Sequence, residues 1–285
     1  MQINWYPGHM KKSLDKIKES IKLVDIVCEI VDARIPVSSR NPVLDEIIGD
    51  FPRIIIFNKS DMADHEETKK WINYFRAKNI FVLEYNSTQD KKTGELYKKA
   101  KLVLSELFEK RESKNIKDQS IKMMVVGIPN VGKSTFINNV SNRKGTKVGN
   151  KPGITRSNQW INTNNNILLL DTPGVLWPKL ELHDGGMNLA FCGTIKDTIL
   201  NIEDLCFEFI KKMKDIYPKN LETRYDINVE KSTLEIMNEI AIKKGTIQKG
   251  SEIDYFKVSN LIFDDFRKLR LGRITLEKVE NINKM

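Results

Sequence analysis

The chain has 285 residues, of which 40% are hydrophobic and 30% charged, a composition that excludes a disordered chain and allows a sizeable buried core. Its net charge of +9 is compatible with nucleic-acid binding and equally with a solvated, lysine-rich surface. No apolar run approaches the roughly 20 residues of a membrane-spanning helix, residues 1–12 show no signal-peptide segment, and three cysteines without CxxC spacing exclude a disulfide scaffold and a cysteine zinc site. We therefore expect a cytoplasmic protein without membrane contacts.

Along the first 180 residues, segments with apolar residues at helical spacing alternate with short apolar runs typical of buried strands. We expect helices over residues 11–24, 64–78 and 91–112, and another that begins at Lys133. The expected strands cover residues 24–31, 53–57, 80–83, 122–126, 158–161 and 167–170. This alternation predicts an α/β fold with a mainly parallel sheet and helices on both of its faces.

The rest of the chain has a different pattern. Residues 203–215, 230–243 and 253–269 have helical periodicity, and no convincing strand follows residue 180. The sequence therefore predicts two domains, an α/β domain over residues 1–180 and a smaller all-α domain over residues 181–285.

Residues 127–134 read GIPNVGKS and match the phosphate-loop pattern GxxxxGKS, between an expected strand and an expected helix. The two glycines let the backbone fold closely around phosphate groups, and the helix N-terminus presents N–H donors to them. The charge of Lys133 is suited to the β- and γ-phosphates, and the hydroxyl of Ser134 is suited to Mg²⁺. The residues expected around the phosphates are Asn130, Val131, Gly132, Lys133, Ser134 and Thr135.

A companion motif, DTPG, follows the strand expected at residues 167–170. The carboxylate of Asp171 is expected to hold Mg²⁺ through water, and the N–H of Gly174 to bind the γ-phosphate and so sense its presence. Thr155, in the segment between the two motifs, is the candidate for a switch threonine that binds Mg²⁺ and the γ-phosphate. A loop threonine without such a role is the alternative.

A third motif, NKSD, follows the strand expected at residues 53–57. The carboxylate of Asp61 can accept hydrogen bonds from N1–H and the 2-amino group of guanine, whereas adenine offers neither donor, so the motif predicts guanine selectivity. The stem of Lys59 can cover the face of the base, and a backbone N–H near residues 86–87 can reach guanine O6. The residues expected around the base are Asn58, Lys59, Ser60, Asp61, Asn86 and Ser87.

The order of these motifs is unusual, because NKxD follows the phosphate loop and DxxG in ordinary GTPases and precedes both here. All three motifs follow strands of one expected parallel sheet, and ligands of such sheets bind at the edge where the strands end. The order along the chain does not change that edge. We therefore expect one guanine-nucleotide site, with the DTPG segment running directly into the helical domain.

Together the motifs resemble the circularly permuted GTPases, and among them the bacterial GTPases that assist assembly of the large ribosomal subunit. The resemblance also rests on WYPGHM at residues 5–10, DARIP at residues 32–36 and PGIT at residues 152–155, and it covers nearly the whole chain. It implies a permuted GTPase domain followed by a helical RNA-contacting domain, with GTP, GDP and Mg²⁺ as ligands. The partner it implies is a large-subunit precursor with its rRNA. The sequence departs from the family at residues 86–87, Asn-Ser instead of a Ser-Ala type pair, which affects the expected base contact there.

The usual water-orienting residue is absent. Many GTPases place a Gln directly after DxxG, whereas here the aliphatic Val175 stands in that position. The resemblance implies that His9 is the catalytic residue, brought into place by the ribosomal particle; structural packing of His9 is the alternative. Of the other two histidines, His65 lies at an acidic helix start and His183 in a segment that reads equally as a linker. The resemblance also implies that Asn130 helps to hold K⁺ near the phosphates, with a turn-forming Asn as the alternative.

The excess of positive charge lies in the first part of the chain. Residues 1–180 hold 30 Lys and Arg against 20 Asp and Glu, whereas residues 181–285 hold 17 against 18. Five basic residues without an acidic neighbour surround the expected switch: Arg143, Lys144, Lys147, Lys151 and Arg156. This cluster predicts RNA contacts that depend on the nucleotide, with a solvated loop as the alternative. In the helical tail, the candidates for RNA contacts are Lys268, Arg270 and Arg273.

From the sequence we therefore predict a cytoplasmic, Mg²⁺-dependent GTPase that binds rRNA on a 50S precursor and is slow unless the particle stimulates it. Two alternatives belong to other classes. One is a GTP-gated RNA-binding scaffold with incidental hydrolysis, and the other is a signalling G protein that acts on a protein partner.

Overall fold

The computed structural model describes most of the chain. The described residues are 2–4, 8–87, 93–141, 159–163, 165–177, 179–181, 184–195, 201–248, 250 and 252–284. Within these ranges, the description excludes the side chains of residues 2–4, 8–10, 159, 179–181, 184, 283 and 284.

The secondary structure of the described residues alternates between strands and helices up to β8 and is mainly helical afterwards. The strands are β1 (Gln2–Asn4), β2 (Ile26–Asp32), β3 (Arg53–Asn58), β4 (Phe81–Glu84), β5 (Ile121–Val126), β6 (Gln159–Asn162), β7 (Ile167–Asp171) and β8 (Lys179–Glu181). The helices are α1 (Gly8–Ser20), α2 (Pro42–Ile48), α3 (His65–Ala77), α4 (Thr93–Val103), α5 (Ser105–Ser113), α6 (Lys133–Val140), α7 (Asp184–Phe191), α8 (Ile202–Ile216), α9 (Pro218–Tyr225), α10 (Thr233–Lys243) and α11 (Tyr255–Arg267).

Six strands form the main sheet in the order β4-β3-β2-β5-β7-β6. Neighbouring strands are parallel except at the edge, where β6 runs antiparallel to β7. The prediction of a mainly parallel sheet is therefore confirmed. The strand β2, which ends at Asp32, lies between β3 and β5. NKSD follows β3 and the phosphate loop follows β5, so Asp32 lies between these two motifs.

The sheet is buried on both faces, which explains why its strands read as continuous apolar runs. In β3, Ile54 and Ile56 belong to a core shared with the helical region, whereas Ile55 and Phe57 belong to a second core. Trp71 and the other buried apolar residues of α3 cover that second face. The helix α3 begins where the side chain of Asp64 accepts hydrogen bonds from two backbone N–H groups of its first turn.

The helical region after residue 184 is built around α8, which packs against α7, α9, α10 and α11. The ring of Phe209 in α8 lies between 5.0 and 5.5 Å, centroid to centroid, from the rings of Phe191, Phe263 and Phe266. These aromatic contacts bury the apolar faces that the helical periodicity predicted, so the expected helical C-terminal region is confirmed. The division at residue 180 remains a prediction.

The last residues of the chain return to the α/β part. The N–H of Leu276 donates to the carbonyl of Arg34 at 2.8 Å, directly beyond β2. The indole N–H of Trp71 donates to the carbonyl of Glu277 at 2.9 Å. Val279 and Ile282 pack against the core beneath α3. The C-terminal segment therefore covers part of the sheet's second face.

Two local predictions are wrong. Residues 91–112 do not form one helix, because α4 and α5 meet at Leu104, whose ψ of 24° departs from the helical value. The side chains of Leu104 and Phe108 are both buried. A strand also reaches beyond residue 180, since β8 pairs antiparallel with β1. Strands of three residues are too short to show the alternation by which strands are predicted.

No helix among the described residues is both long and apolar enough to cross a membrane. The three cysteines, Cys28, Cys192 and Cys206, are buried free thiols, as expected from their number and spacing.

Candidate functional site

The predicted motifs meet at one edge of the sheet, because each follows the carboxyl end of a parallel strand. The phosphate loop follows β5, NKSD begins at the last residue of β3, and DTPG begins at the last residue of β7. Residues 86–87 follow β4. This edge is therefore the candidate nucleotide site.

The phosphate loop has the backbone conformation that its glycines allow. Gly127, Asn130 and Gly132 have positive φ values of 148°, 62° and 95°. Residues with a Cβ rarely adopt such values, although asparagine tolerates the left-handed region near 60°. A Cβ at Gly127 would lie 2.6 Å from the carbonyl oxygen of Ile30, and one at Gly132 would overlap the amide of Asn58. The loop therefore passes too close to β2 and β3 for larger residues at these two positions.

Lys133 begins α6 and is buried at the base of the loop. Its Nζ donates hydrogen bonds to the carbonyls of Gly127 at 3.0 Å and Ile128 at 2.9 Å. Burial lowers the pKa of Lys133 to about 8, although the charge of Asp171 opposes this shift. A phosphate group at this loop would oppose the shift further, because it adds negative charge beside the ammonium group.

Two of the residues predicted to hold Mg²⁺, Ser134 and Asp171, lie in the described part of the chain, whereas Thr155 does not. Asp171 is 2% exposed at the end of β7, and Ser134 is half-buried in the first turn of α6. Among the described residues, no three His, Cys, Asp or Glu side chains cluster as a metal site. The hydroxyl of Ser134 and the carboxylate of Asp171 are oxygen donors of the kind that Mg²⁺ prefers. Mg²⁺ takes few ligands from the protein and completes its coordination with phosphate oxygens and water.

The DTPG segment packs directly on the phosphate loop. The hydroxyl of Thr172 donates to the carbonyl of Val125 at 2.7 Å. A Cβ at Gly174 would lie 2.6 Å from Nζ of Lys133 and 2.9 Å from the backbone nitrogen of Pro129. This proximity places the backbone of Gly174 beside the residue predicted to bind the β- and γ-phosphates.

Val175 is fully buried and has both backbone groups paired. Its N–H donates to the carbonyl of Gly127 at 3.4 Å, and its carbonyl accepts from Nδ2 of Asn41 at 2.9 Å. The position that carries a water-orienting Gln in many GTPases is therefore part of the core here.

Asn58 links the base motif to two other loops. Its Nδ2 donates to the carbonyl of Val131 at 2.7 Å. Its Oδ1 accepts from the N–H of Ser87 at 3.1 Å and from the hydroxyl of Ser87 at 2.6 Å. Asn86 and Ser87 are both buried. The structure thus brings the residues predicted from three separate segments into direct contact.

The other members of the NKSD motif lie at the surface of this edge. Asp61 is half-buried, and no hydrogen bond or ion pair of its carboxylate is found among the described residues. Ser60 is half-buried in the 3₁₀ turn Ser60–Met62. Lys59 has a left-handed backbone conformation, with φ of 58°.

Lys59 contacts Asp32, a residue outside the predicted set of site residues. Its Nζ donates to Oδ2 of Asp32 at 2.9 Å and to the carbonyl of Asn130 at 3.1 Å. Asp32 also forms a buried ion pair with Arg34 at 2.8 Å. Burial by itself would raise the pKa of Asp32, but the charges of Arg34 and Lys59 outweigh it and hold this pKa well below its usual range. An acidic residue at the end of a buried strand, as at Asp171, is the signal that could have identified Asp32.

Several predicted residues fall outside the described part of the chain. Thr155 and the basic cluster around it lie there, as does His183. His9 lies in α1, but its side chain is not described. Thr135 is half-buried in α6, and the exposed Asn130 directs its Nδ2 to the carbonyls of Gly193 and Thr194 at 3.5 and 3.4 Å.

The basic residues predicted in the tail differ in their surroundings. Lys268 and Arg270 form ion pairs with Asp264, and Arg270 also pairs with Asp265. Arg273 is exposed, and no ion pair of Arg273 is found among the described residues. Two of the three candidates therefore already have acidic partners within the chain.

A phosphate loop, a DxxG segment and an NKxD segment on one edge of a parallel sheet define a P-loop GTPase, here with the base motif first in the chain. The model of the 50S ribosome-binding GTPase family matches residues 122–240. Ribosome biogenesis GTPase A of Bacillus cereus is 42% identical over 98% of this chain and 95% of its own length. Its Thermotoga maritima counterpart is 30% identical over 98% of this chain and 96% of its own length. The chain therefore belongs to the ribosome biogenesis GTPase A family, and it is a GTPase.

The fold agrees with this assignment. The GDP-bound structure of TM YlqF aligns with a TM-score of 0.62 and 25% identity, over 93% of this chain and 99% of that one. The predicted circularly permuted P-loop fold is confirmed.

Proposed function

We propose that this GTPase is a cytoplasmic assembly factor that binds rRNA on a precursor of the large ribosomal subunit in its GTP state. GTP hydrolysis is slow in the free protein and is stimulated by the particle. The observation that carries this proposal is the site itself. Its phosphate and guanine motifs meet at one sheet edge, whereas Val175, in the water-orienting position, is buried and paired.

In this proposal the guanine base lies between residues of the NKSD motif and the segment at 86–87. Asp61 accepts the two guanine donors, the stem of Lys59 covers the base, and the backbone near Ser87 donates to O6. The direct hydrogen bonds between Asn58 and Ser87 support this arrangement, because they hold the two segments together.

The phosphates lie in the loop from residue 127 to residue 132. Lys133 and the N-terminus of α6 stabilise their charge, and the N–H of Gly174 binds the γ-phosphate. Ser134 and Thr155 would hold Mg²⁺ directly and Asp171 would hold it through water. The ion would supply positive charge beside the phosphates.

The residue that acts on the attacking water is His9, and the particle brings it to the site. A histidine can orient or deprotonate water, whereas the valine after DxxG cannot. Asn130 would hold a K⁺ ion beside the phosphates, and the ion would supply positive charge there. The basic residues around Thr155 contact rRNA, so that the contact depends on the bound nucleotide.

The decisive experiment compares GTP hydrolysis with and without purified large subunits, for the parent protein and for His9→Ala. We expect strong stimulation of the parent. In His9→Ala the stimulated rate should fall by roughly 10²–10⁴-fold, the range for loss of a general acid–base group. GDP affinity should be unchanged, because His9 belongs to no nucleotide-binding motif.

His65→Ala is the matched control, since His65 is an exposed histidine at the start of α3 and belongs to none of the nucleotide motifs. It should keep full stimulation. Stimulation that survives in His9→Ala would instead assign hydrolysis to bound K⁺ or to a group from the RNA. Replacing K⁺ by Na⁺ in the buffer separates these two outcomes.

The same buried Val175 also favours the second candidate function, a GTP-gated scaffold whose hydrolysis is incidental. Subunit maturation with a non-hydrolysable GTP analogue distinguishes the two. If the protein is a scaffold, subunits mature as well with the analogue as with GTP. If hydrolysis is required, as proposed, the protein stays bound to the particle with the analogue and maturation stops.

A further inference from the structure

We propose that Asp32 is the positioning residue that holds Lys59 over the guanine base. This inference rests on the proposed guanine site and adds a residue to it. Asp32 ends β2, the strand between the base motif and the phosphate loop, and its side chain is 1% exposed.

Both carboxylate oxygens of Asp32 are used. Oδ2 accepts from Nζ of Lys59 at 2.9 Å and from a terminal nitrogen of Arg34 at 2.8 Å. Oδ1 accepts from Nε of Arg34 at 3.0 Å and from its backbone N–H at 3.1 Å. Arg34 therefore fixes the plane of the carboxylate, and only one direction is left for the ammonium group of Lys59.

Lys59 is held at its other side by the phosphate loop, where Nζ donates to the carbonyl of Asn130 at 3.1 Å. Its backbone is in the left-handed region, and its side chain remains 25% exposed. With the head group held by two acceptors, the stem cannot swing away from the edge where the base is proposed to lie. Holding a flexible lysine in place before the ligand arrives lowers the entropic cost of binding.

Arg34 connects this arrangement to the helical region. Its guanidinium lies 5.2 Å from the ring centroid of Phe266 in α11, a cation–π distance. Its carbonyl accepts from the N–H of Leu276 at 2.8 Å. The position of Lys59 is thus supported from β2 and, through Arg34, from two segments of the C-terminal part.

The test is a double-mutant cycle on GDP affinity with Asp32→Asn and Lys59→Met. Methionine keeps an apolar stem of similar length and lacks the ammonium group. We expect Asp32→Asn to weaken GDP binding roughly 10-fold, the order for loss of a charge-assisted hydrogen bond that positions a ligand group. In the Lys59→Met background, Asp32→Asn should have no further effect, because Asp32 acts through Lys59.

Glu29→Gln is the matched control. Glu29 lies on the same strand, is 2% exposed, and pairs with two arginines, Arg40 at 2.9 Å and Arg53 at 3.5 Å. Among the described residues, no side-chain hydrogen bond or ion pair joins Glu29 to the nucleotide motifs. A merely structural role of Asp32 predicts equal loss of GDP affinity in both variants. Binding of inorganic pyrophosphate provides a second readout, since it needs the phosphate loop and no base contact; Asp32→Asn should leave it unchanged.

The outcomes separate the two proposals. If Lys59→Ala, which removes the stem as well, binds GDP as the parent does, the proposed base contact of Lys59 is wrong, and this inference falls with it. If Lys59→Met binds GDP as the parent does, the stem needs no ammonium anchor, and only the role of Asp32 is overturned. If Lys59→Met weakens binding but Asp32→Asn does not, or if the two effects add, only the role of Asp32 is overturned. Should Asp32→Asn not fold, Asp32→Glu keeps the charge, displaces the carboxylate by one methylene, and must show the same selective loss for GDP.

Discussion

Single side chains join the loops of the nucleotide site. Asn58 donates to the phosphate loop and accepts from Ser87, and Lys59 bridges Asp32 and Asn130. These bonds exist between protein groups, so the loops are held near one another independently of any ligand contact. Asp61 differs, because its carboxylate makes no hydrogen bond or ion pair with the described residues.

The selectivity for guanine is therefore expected to depend on Asp61. Asp61→Asn replaces one acceptor by an amide donor that faces guanine donors, so GDP affinity should fall by about 10-fold or more, the cost of one mismatched buried polar group. Xanthosine diphosphate should bind more tightly to the variant than to the parent, because xanthine carries a carbonyl where guanine carries its 2-amino group.

Asp50→Asn, which changes an exposed aspartate, serves as the control for this change and should leave both affinities as they are. Titrations with labelled nucleotides measure the affinities. Unchanged GDP affinity in Asp61→Asn would remove the NKSD motif from the site.

The lowered pKa of Lys133 predicts a pH dependence of nucleotide binding. Phosphate binds the protonated amine, and in the free protein this form is lost as the pH rises through the pKa of about 8. Between pH 6.5 and pH 8.5 the affinity for GDP should therefore fall roughly 4-fold, as one titrating group requires. Binding should be accompanied by proton uptake near pH 8, measurable by calorimetry in buffers of different ionisation enthalpy.

Lys133→Arg is the control, because a guanidinium stays charged throughout this range. Whatever its affinity for GDP relative to the parent protein, the guanidinium of this variant should add no pH dependence to binding between pH 6.5 and 8.5. An equally flat profile in the parent protein would show that burial does not lower the pKa of Lys133.

Among the larger elements, the segment after β7 and the phosphate loop are in van der Waals contact at Gly174. In Gly174→Ala the new Cβ would meet the backbone of Pro129 at 2.9 and 3.0 Å, so the two segments must separate. In the proposed site a displaced N–H no longer reaches the γ-phosphate. The new Cβ also approaches Nζ of Lys133 within 2.6 Å, which weakens binding of both nucleotides, and the base contacts that both share are kept. We expect affinity for a GTP analogue to fall roughly 10-fold more than affinity for GDP, the order of one hydrogen bond to a charged group.

Gly94→Ala provides the comparison, since a Cβ there has no neighbour within 4 Å. It should leave both affinities unchanged and stabilise α4 slightly. Equal losses for the two nucleotides in Gly174→Ala would mean that this glycine is needed for packing alone.

Across the whole molecule, Glu277 joins parts of the chain that are far apart in sequence. Its buried carboxylate accepts from the N–H groups of Val37 at 2.6 Å and Ser38 at 3.0 Å, and from Nδ2 of Asn188 in α7 at 3.1 Å. The hydroxyl of Ser38 is a fourth donor. The C-terminal segment is thus fixed to the loop after β2 and to the helix that follows β8.

Glu277→Gln should destabilise the fold by about 1–3 kcal/mol, because its amide group faces donors and leaves one buried group unsatisfied. Urea unfolding monitored by tryptophan fluorescence measures the loss, and Trp71, which donates to Glu277, reports on this region. Glu280→Gln, an exposed change in the 3₁₀ turn Val279–Lys284 that follows Glu277, should leave the free energy of unfolding unchanged. Equal stability of the two variants would show that the carboxylate of Glu277 does not hold the segment.

The sequence alone predicts the parallel sheet, most of its strands and the contiguous nucleotide motifs. Each of these features is local, since a buried strand is a short apolar run and the phosphate loop carries its chemistry within eight neighbouring residues, 127–134. Their meeting at one edge also followed, because parallel strands end on the same side of a sheet.

Other features became visible only in three dimensions, because they depend on contacts between distant residues. Nothing around Asp32 indicates that Lys59 will reach it, and Glu277 meets Ser38 across 239 positions of the chain. The break at Leu104 likewise divides a segment in which helical periodicity predicts one helix. Local sequence patterns predict the burial and backbone conformation of each residue. The partner of a buried polar group depends instead on how the folded helices and strands pack together.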